Sequence, residues 1–146
     1  MKIHQLSLFL ENKPGQMGPP CRLLADAGIN IRTLTLADTQ RFGILRLIVS
    51  DWQRSRILLE EAGYLVNVTE VVAVEMADRP GGLVDMLAVF ENVDINIEYM
   101  YAFTYGPEGR AALIFRFDKP DAAIERLRAA GVNVLADVEV YHRISA

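Results

Sequence analysis

The chain repeats itself, and this internal duplication is the feature that most restricts the folds available to it. Three segments of the first half return in the second half in the same order. They are ENKPGQM at 11–17 with ADRPGGL at 77–83, GINI at 28–31 with DINI at 94–97, and EAG at 61–63 with AAG at 129–131. The spacing is 66 residues for the first two pairs and 68 for the third. A fixed spacing is typical of a duplicated structural unit, so we predict two domains, residues 1–69 and 70–146.

In the first repeat, residues 1–69, local patterns predict a strand, a helix, a hairpin of two strands, a second helix and a last strand. Leucines at positions 6, 8 and 10 alternate as on one face of a half-buried strand. Pro19 and Pro20 lie in the first helical turn, where a missing N–H costs little, and Gly28 ends that helix. The remaining elements are predicted as hairpin strands at 30–37 and 43–49, a helix at 51–61 capped by Asp51, and a strand at 65–69.

The second repeat, residues 70–146, predicts the same order of elements. Its strands are predicted at 71–76, 96–104, 110–117 and 132–141, and its helices at 82–92 and 121–130. The order β-α-β-β-α-β predicts a ferredoxin-like fold of the α+β class, in which two helices cover one face of an antiparallel sheet. Because 66–76 is continuous β-forming sequence with no flexible linker, we predict two ferredoxin-like βαββαβ units packed together.

Charge and cysteine content restrict the partners and the location. The net charge is −4 and no block of basic residues is present, so we predict no nucleic-acid partner. The single cysteine cannot form an internal disulfide, and no segment predicts a signal peptide or a membrane span. The predicted location is therefore the reducing cytoplasm, without a membrane partner.

The repeated Asn-Lys-Pro-Gly and Asp-Arg-Pro-Gly turns are the candidate binding sites. Each lies between a strand and a helix, where backbone N–H groups can bind a carboxylate, and Gly15 or Gly81 lets a ligand approach the backbone closely. The side chain of Asn12 or Asp78 can accept hydrogen bonds from an ammonium group. An α-amino acid carries both charges. A Pro-Gly turn is also an ordinary connection, and duplication copies functionless turns too, so both interpretations stay open at this point.

Both repeats resemble the ACT domain, a regulatory module that binds amino acids at the interface between two such units. The resemblance covers residues 3 to 141. It rests on a strand ending in Asn/Asp-x-Pro-Gly, followed by a helix and then by Gly/Asp-x-Asn-Ile, once in each repeat. The stretches FGILRLIVSD at 42–51 and IEYMYAF at 97–103 are also similar to a bacterial and archaeal family of stand-alone tandem ACT proteins.

The resemblance implies a set of ligand-binding residues in the two turns and at the start of the second strand of each repeat. They are Asn12, Lys13, Pro14, Gly15 and Asn30 in the first repeat and Asp78, Arg79, Pro80, Gly81 and Asn96 in the second. The sequence departs from the ACT pattern at Asp78, where Asn is favoured, and a carboxylate there would repel a ligand carboxylate. If one pocket is used, we expect it to centre on Asn12, with Asn96 reaching across from the other repeat.

The sequence offers no convincing catalytic or metal-binding group. His4 and His142 lie near the two ends of the chain without further ligands nearby, and two histidines alone make a poor metal site. We therefore predict no enzyme, no catalytic residue, no metal and no cofactor. The aromatic residues Tyr99, Tyr101 and Phe103 share one face of a strand, either packing in the core or lining a pocket.

Three functions from different classes remain open. The preferred hypothesis is an amino-acid-binding sensor, its ligand at the interface of the two ACT-like units, that forms a homodimer and regulates a separate enzyme of amino-acid metabolism. A second hypothesis is an interaction or oligomerisation module without a small ligand. A third is a small enzyme that uses the cleft between the repeats.

Overall fold

A computed structural model describes residues 2–39, 41–105 and 109–136. In chain order the elements are β1 (Ile3–Glu11), α1 (Gly18–Asp26), β2 (Ile31–Thr39), β3 (Phe42–Val49), α2 (Trp52–Glu61), β4 (Val66–Ala77), α3 (Gly82–Ala88), β5 (Ile97–Tyr105), β6 (Arg110–Phe117), α4 (Pro120–Ala129) and β7 (Asn133–Leu135). The chain divides into an N-terminal unit, His4–Thr69, and a C-terminal unit, Met1–Ile3 with Glu70–Ala146. Lys2 forms ion pairs in the C-terminal unit with Glu70 at 3.3 Å and Asp121 at 3.1 Å. The assignment of residues 1–69 and 70–146 as two ACT-like domains stays a prediction.

The N-terminal unit has the strand order β2-β3-β1-β4, and β3 pairs antiparallel with both of its neighbours. Alternate residues of β1 and β3 face the helices, because side chains alternate along a strand. Its core consists of leucines and other apolar residues from both strands and both helices: Leu6, Leu8, Leu10, Leu24, Ile29, Leu45, Leu47, Val49, Leu59 and Val66. Burying each leucine contributes about 1.5–3 kcal/mol relative to leaving it exposed, so this cluster holds the two helices against the sheet.

Both helices of the N-terminal unit begin and end where their sequence signals predict. Pro19 and Pro20 are the second and third residues of α1, and Gly28 follows that helix with a φ of +73°. The side chain of Asp51 caps α2 by accepting a hydrogen bond from the Arg54 N–H at 3.1 Å. Gly63 follows α2 with a φ of +92°. These local predictions are confirmed because each depends on residues within one turn of the helix end.

The C-terminal unit repeats this arrangement. β4 pairs antiparallel with β6 and with β7, and β6 pairs antiparallel with β5. Its core is richer in aromatic residues, with Phe115 and Phe117 stacked at 5.1 Å and Phe90 at 5.0 Å from Phe117. The other members of this core come from the strands and both helices: Val72, Val74, Met86, Leu113, Ala123, Ile124, Leu127 and Val134. Each unit is therefore an α+β fold with two helices and antiparallel strand pairs.

The structure differs from the predicted elements in two places. The strands predicted at 65–69 and 71–76 form one continuous strand, β4, and the helix predicted at 82–92 ends at Ala88. Beyond Ala88 the backbone makes three tighter i+3 hydrogen bonds, from Val89, Phe90 and Glu91, and Asn92 then adopts a φ of +59°. This tighter turn accompanies the insertion of Phe90 into the core, where it is 9% exposed. Of the strand predicted at 132–141, β7 covers 133–135, and residues 137–141 lie outside the described residues.

Candidate ligand-binding site

The two repeated turns share their first backbone hydrogen bond and their left-handed glycine, although α3 begins directly after its turn at Gly82 and α1 begins only at Gly18. We call residues 12–15 the first turn and residues 78–81 the second turn. The Asn12 N–H donates to the carbonyl of Arg41 at 2.9 Å, and the Asp78 N–H donates to the carbonyl of Gly109 at 2.7 Å. Each turn closes with a left-handed glycine, Gly15 with a φ of +82° and Gly81 with a φ of +85°. A Cβ at Gly15 would meet nothing within 4 Å, so the backbone conformation, rather than lack of room, requires glycine there.

A cavity of about 260 Å³ lies beside the first turn, within the N-terminal unit. Its lining combines the turn with the end of β1 and the adjoining ends of β2 and β3: Leu10, Glu11, Asn12, Lys13, Gly15, Gln16, Met17, Leu36, Ala37, Asp38 and Gly43. Three of the predicted site residues, Asn12, Lys13 and Gly15, line it, and Pro14 belongs to the same turn. The structure therefore brings part of the predicted set to one cavity.

The row of the sheet that borders the cavity has a glycine at its centre. Leu10, Gly43 and Asp38 are partners in register across β1, β3 and β2. This row continues the face that carries the core leucines, since Leu8 and Leu45 lie two positions away on the same strands. A Cβ at Gly43 would lie 3.2 Å from the Cδ1 of Leu36, closer than ordinary van der Waals contact. A side chain at position 43 would therefore press against Leu36, which also lines the cavity.

The polar groups of the cavity suit a small zwitterion. The ammonium of Lys13 lies 3.0 Å from a carboxylate oxygen of Glu11. Among the described residues, the backbone N–H groups of Gly15 and Gln16 donate no hydrogen bond, so both are available to a carboxylate. The helix start adds less than the sequence suggests. Pro19 and Pro20 have no N–H, so Gly18 alone among the first three helical residues offers one.

The second turn is occupied by its own side chains. The guanidinium of Arg79 forms a hydrogen-bonded ion pair with Asp85 and also donates to the carbonyl of Pro80 at 3.0 Å. Asp85 lies in the first turn of α3, so the chain supplies its own carboxylate there. A Cβ at Gly82 would overlap with the carbonyl oxygen of Ala77. This turn is therefore packed closely onto the end of β4.

A second cavity, of about 360 Å³, lies in the C-terminal unit between β4, α3 and residues 130–133. Arg79 is the one predicted site residue that lines it. Glu75 and Arg110 contribute charged groups, with a guanidinium nitrogen of Arg110 3.9 Å from a carboxylate oxygen of Glu75. Both residues alternate with the core-facing Met76 and Ala111, so they lie on the other face of the sheet. This cavity does not correspond to the one beside the first turn.

Asn30 and Asn96 lie away from the turns of their own units. The backbone N–H of Asn30 donates to the hydroxyl of Ser50 at 3.0 Å, and that of Asn96 donates to the carboxylate of Asp118 at 2.8 Å. Asn30 precedes the end of β2 that pairs with Val49, whereas the cavity lies at the other end of β2. Within one unit, the first turn and Asn30 are therefore at opposite ends of the sheet. The contribution of Asn96 to the Asn12 site stays a prediction.

The remaining candidate residues have structural contacts or lie outside the description. His4 stacks on Trp52 with ring centroids 4.3 Å apart, and His142 lies outside the described residues. Tyr99, Tyr101 and Phe103 are half-buried on β5. Across residues 2–39, 41–105 and 109–136, no group of three or more His, Cys, Asp or Glu side chains could hold a metal ion. In the same residues no helix is both long and apolar enough to cross a membrane.

Comparison with known proteins defines the class of fold and then the family. Two regulatory subunits of aspartate kinase have similar structures. That of Thermus thermophilus has a TM-score of 0.63 and 18% identity, and the match covers 87% of this chain and 91% of that one. That of Thermus flavus has a TM-score of 0.61 and 19% identity, and the match covers 90% of this chain and 94% of that one. These similarities show that this chain shares the fold of those two proteins. The family model for an ACT domain pair matches residues 1–143, so the chain belongs to the family of ACT domain pairs.

A more similar solved structure is that of protein BT0572 from Bacteroides thetaiotaomicron. It is 36% identical to this chain, has a TM-score of 0.89, and the match covers 97% of this chain and 96% of that one. A search of curated proteins found no match. The expected resemblance to ACT domains is therefore confirmed over nearly the whole chain.

Proposed function

We propose that this ACT domain pair is a regulatory protein that binds a free amino acid in the cavity beside the first turn and acts on a separate enzyme of amino-acid metabolism. The observation that carries the proposal is the cavity itself, which is lined by Asn12, Lys13 and Gly15. A volume of about 260 Å³ lies just below the range of about 300–1,000 Å³ usual for drug-sized ligands, which suits a single amino acid.

The groups around the cavity can bind both charges of an amino acid. The N–H groups of Gly15 and Gln16 provide donors for the carboxylate. The side-chain oxygen of Asn12 provides an acceptor for the ammonium. The second turn already holds the Asp85 carboxylate, which supports the use of the first turn as the binding site. The remaining predicted residues, Asn30, Asp78, Pro80, Gly81 and Asn96, stay proposals for a site shared between the two ACT-like units.

Action on a separate enzyme follows from the kind of protein that shares this fold. The structurally similar Thermus proteins are regulatory subunits of aspartate kinase, and this chain belongs to the family of ACT domain pairs. A ligand that binds one packing of the chain better than another shifts the population toward it, and a partner can read that shift. We propose no catalytic role, no cofactor and a cytoplasmic location.

We further propose that the chain forms a homodimer through β2. In the described part of the chain β2 is an edge strand, and an exposed edge offers a row of backbone groups to another strand. Leu34 on β2 is 54% exposed and Phe42 at the start of β3 is 50% exposed. Pairing of β2 with the same strand of a second copy would cover Leu34.

Leu34→Lys should convert the dimer to a monomer in analytical ultracentrifugation, whereas Ile57→Lys, at a 57% exposed position on α2, should not. A monomeric parent protein would contradict the dimer.

A thermal-shift screen with the twenty amino acids tests the binding proposal. An amino acid present at one hundred times its Kd adds about 2.7 kcal/mol of stability, and each kcal/mol raises the Tm by about 2–4 °C in proteins of about this size. Asn12→Ala should remove most of that shift, while the matched control Asn67→Ala, at an exposed position on β4, should retain it. If no amino acid shifts the Tm of the parent protein, the interaction module without a small ligand becomes the better hypothesis.

A further inference from the structure

We infer that the cavity beside the first turn selects an α-amino acid with an uncharged, aliphatic side chain, and that Asp38 determines this selectivity by binding the ligand's ammonium. The inference rests on the proposed function and names the class of amino acid. It draws on the charge balance of the cavity, on its apolar wall and on the position of Asp38 in the sheet.

Asp38 is placed to face the cavity by the register of three strands. It is the partner of Gly43 on β3, and Gly43 is in turn the partner of Leu10 on β1. All three share the face of the sheet that carries the core leucines. Leu10, Asp38 and Gly43 all line the cavity, so a ligand in the cavity lies next to Asp38.

The charges of the lining favour a cation beside Asp38. The charged residues among those that line the cavity are Glu11, Lys13 and Asp38, and only Asp38 lies on the face of the sheet that carries the core leucines, because Glu11 alternates with the core-facing Leu10. Lys13 lies 3.0 Å from Glu11, and within the described residues Asp38 has no ion-pair partner. The excess negative charge is therefore located at Asp38. It attracts the ammonium of an amino acid and repels a second carboxylate on its side chain.

The residues that line the cavity also do not include the group that usually binds a second carboxylate on a ligand. Arginine binds carboxylates through two parallel hydrogen bonds, and none of the described residues lining the cavity is an arginine. The one cation present, Lys13, is engaged with Glu11 and lies beside the turn that would receive the α-carboxylate. Aspartate and glutamate should therefore bind more weakly than aliphatic amino acids.

An apolar wall completes the selectivity. Leu10 is 4% exposed, and Met17 is half-buried against the core of the N-terminal unit. Leu36, which is 50% exposed, offers apolar surface that a ligand side chain would remove from water. A charged side chain in that position would lose its hydration without gaining a partner, so lysine and arginine are disfavoured as ligands as well.

The second repeat has lost the same features. Its corresponding row is Met76, Ala111 and Thr104, partners in register across β4, β6 and β5. Ala111 is 3% exposed and stands where the first repeat has Gly43. The sequence has Thr104 where the first repeat has Asp38. The selectivity is therefore a property of the N-terminal unit.

Isothermal titration of the full-length chain with leucine, isoleucine, valine, methionine, aspartate, glutamate, lysine and arginine tests the inference. We expect an aliphatic amino acid to bind at least about 10-fold more tightly than any charged one. Asp38→Asn should weaken aliphatic binding roughly 10- to 100-fold, the range for losing a hydrogen bond to a charged group, and should narrow the discrimination against aspartate. Asp26→Asn, at an exposed position at the other end of α1, removes the same charge and should leave binding unchanged.

Gly43→Ala provides a second, independent variant, because its methyl group would push Leu36, which lines the cavity, out of its position. It should also weaken aliphatic binding, with the circular dichroism spectrum unchanged. The inference is overturned if a charged amino acid binds most tightly, or if Asp38→Asn binds aliphatic amino acids as tightly as the parent protein does. In either case the proposed function still stands as long as Asn12→Ala weakens binding. If the parent protein binds none of the eight amino acids, and the screen of all twenty also finds no ligand, the proposed function itself fails.

Discussion

The first and second turns have nearly the same backbone and quite different surroundings. Gly15 and Gly81 differ by 3° in φ, at +82° and +85°, and both turns begin with a hydrogen bond to the hairpin that follows. Yet the first turn borders an open cavity, while Arg79 and Asp85 pair across the second. Duplication has kept the backbone, which local residues determine. The side chains have diverged, so that one turn remains open to a ligand and the other is closed by the chain itself.

The largest expected effect tests how tightly the second turn is packed. Gly82→Ala would force a methyl group onto the carbonyl of Ala77, whereas the matched position of the first turn already carries Gln16. We expect a loss of about 2–3 kcal/mol in the free energy of unfolding, measured by urea denaturation, as for other overpacked sites. Gly18→Ala is the control, because a Cβ there meets nothing within 4 Å. Equal stability of the two variants would contradict the close packing.

Exchanging glycine and alanine between the matched positions 43 and 111 of the two repeats should have the next largest effect on stability. Ala111→Gly removes a buried methyl group and adds a glycine to a strand, which together should reduce stability by about 1–2 kcal/mol. Gly43→Ala should instead be neutral or stabilising by up to about 1 kcal/mol, because the flexible end of Leu36 can move away. Urea denaturation of both variants measures the change in the free energy of unfolding. A loss of stability in both variants, or a gain in both, would argue against this difference between positions 43 and 111.

The ion pair of the second turn should contribute less. Arg79 and Asp85 are 55% and 64% exposed, and exposed pairs are worth about 0–1 kcal/mol. Asp85→Asn should therefore reduce stability by less than about 1 kcal/mol, and the difference should shrink at high salt. In the first repeat the matched position is Pro19, which has no charge to lose. A salt-independent loss would mean that packing, rather than charge, maintains the second turn.

The smallest effect concerns a pH-dependent contact that only the second repeat has. Lys119 donates a hydrogen bond to Asp94 at 2.9 Å, and this holds the pKa of the Asp94 carboxyl below its ordinary value. A depressed folded-state pKa contributes stability above the unfolded pKa, and that stability is lost as the pH falls through the folded value. The matched residue of the first repeat is Gly28.

Asp94→Asn should therefore be slightly less stable than the parent protein at neutral pH. The difference should diminish as the pH falls through the lowered pKa of Asp94, where the parent carboxylate becomes protonated as well. Thermal denaturation of both proteins across this pH range measures the effect. A constant difference at all pH values would mean that the charge of Asp94 does not matter.

Local chemistry explains which parts of the fold could be predicted. Asp51 caps α2, Gly28 ends α1, and the left-handed glycines of both turns follow from residues within a few positions of each other. The end of α3 at Ala88 could not be found in this way, because the insertion of Phe90 beside Phe117 is a contact between distant segments. The segment that forms β4 was recognised as unbroken β-forming sequence. The sequence did not show that its two predicted strands, at 65–69 and 71–76, form one continuous strand.

The sequence by itself determined the duplication, the order of the elements, the conformation of both turns and membership of the ACT domain pair family, because these depend on spacing and on short-range backbone preferences. Only the tertiary structure decided that Leu36, Asp38 and Gly43 form the wall of the cavity beside Asn12. Those residues are 24 to 31 positions from Asn12 along the chain. They meet it through the register of β1, β3 and β2, which is set by the pairing of whole strands and not by any local signal.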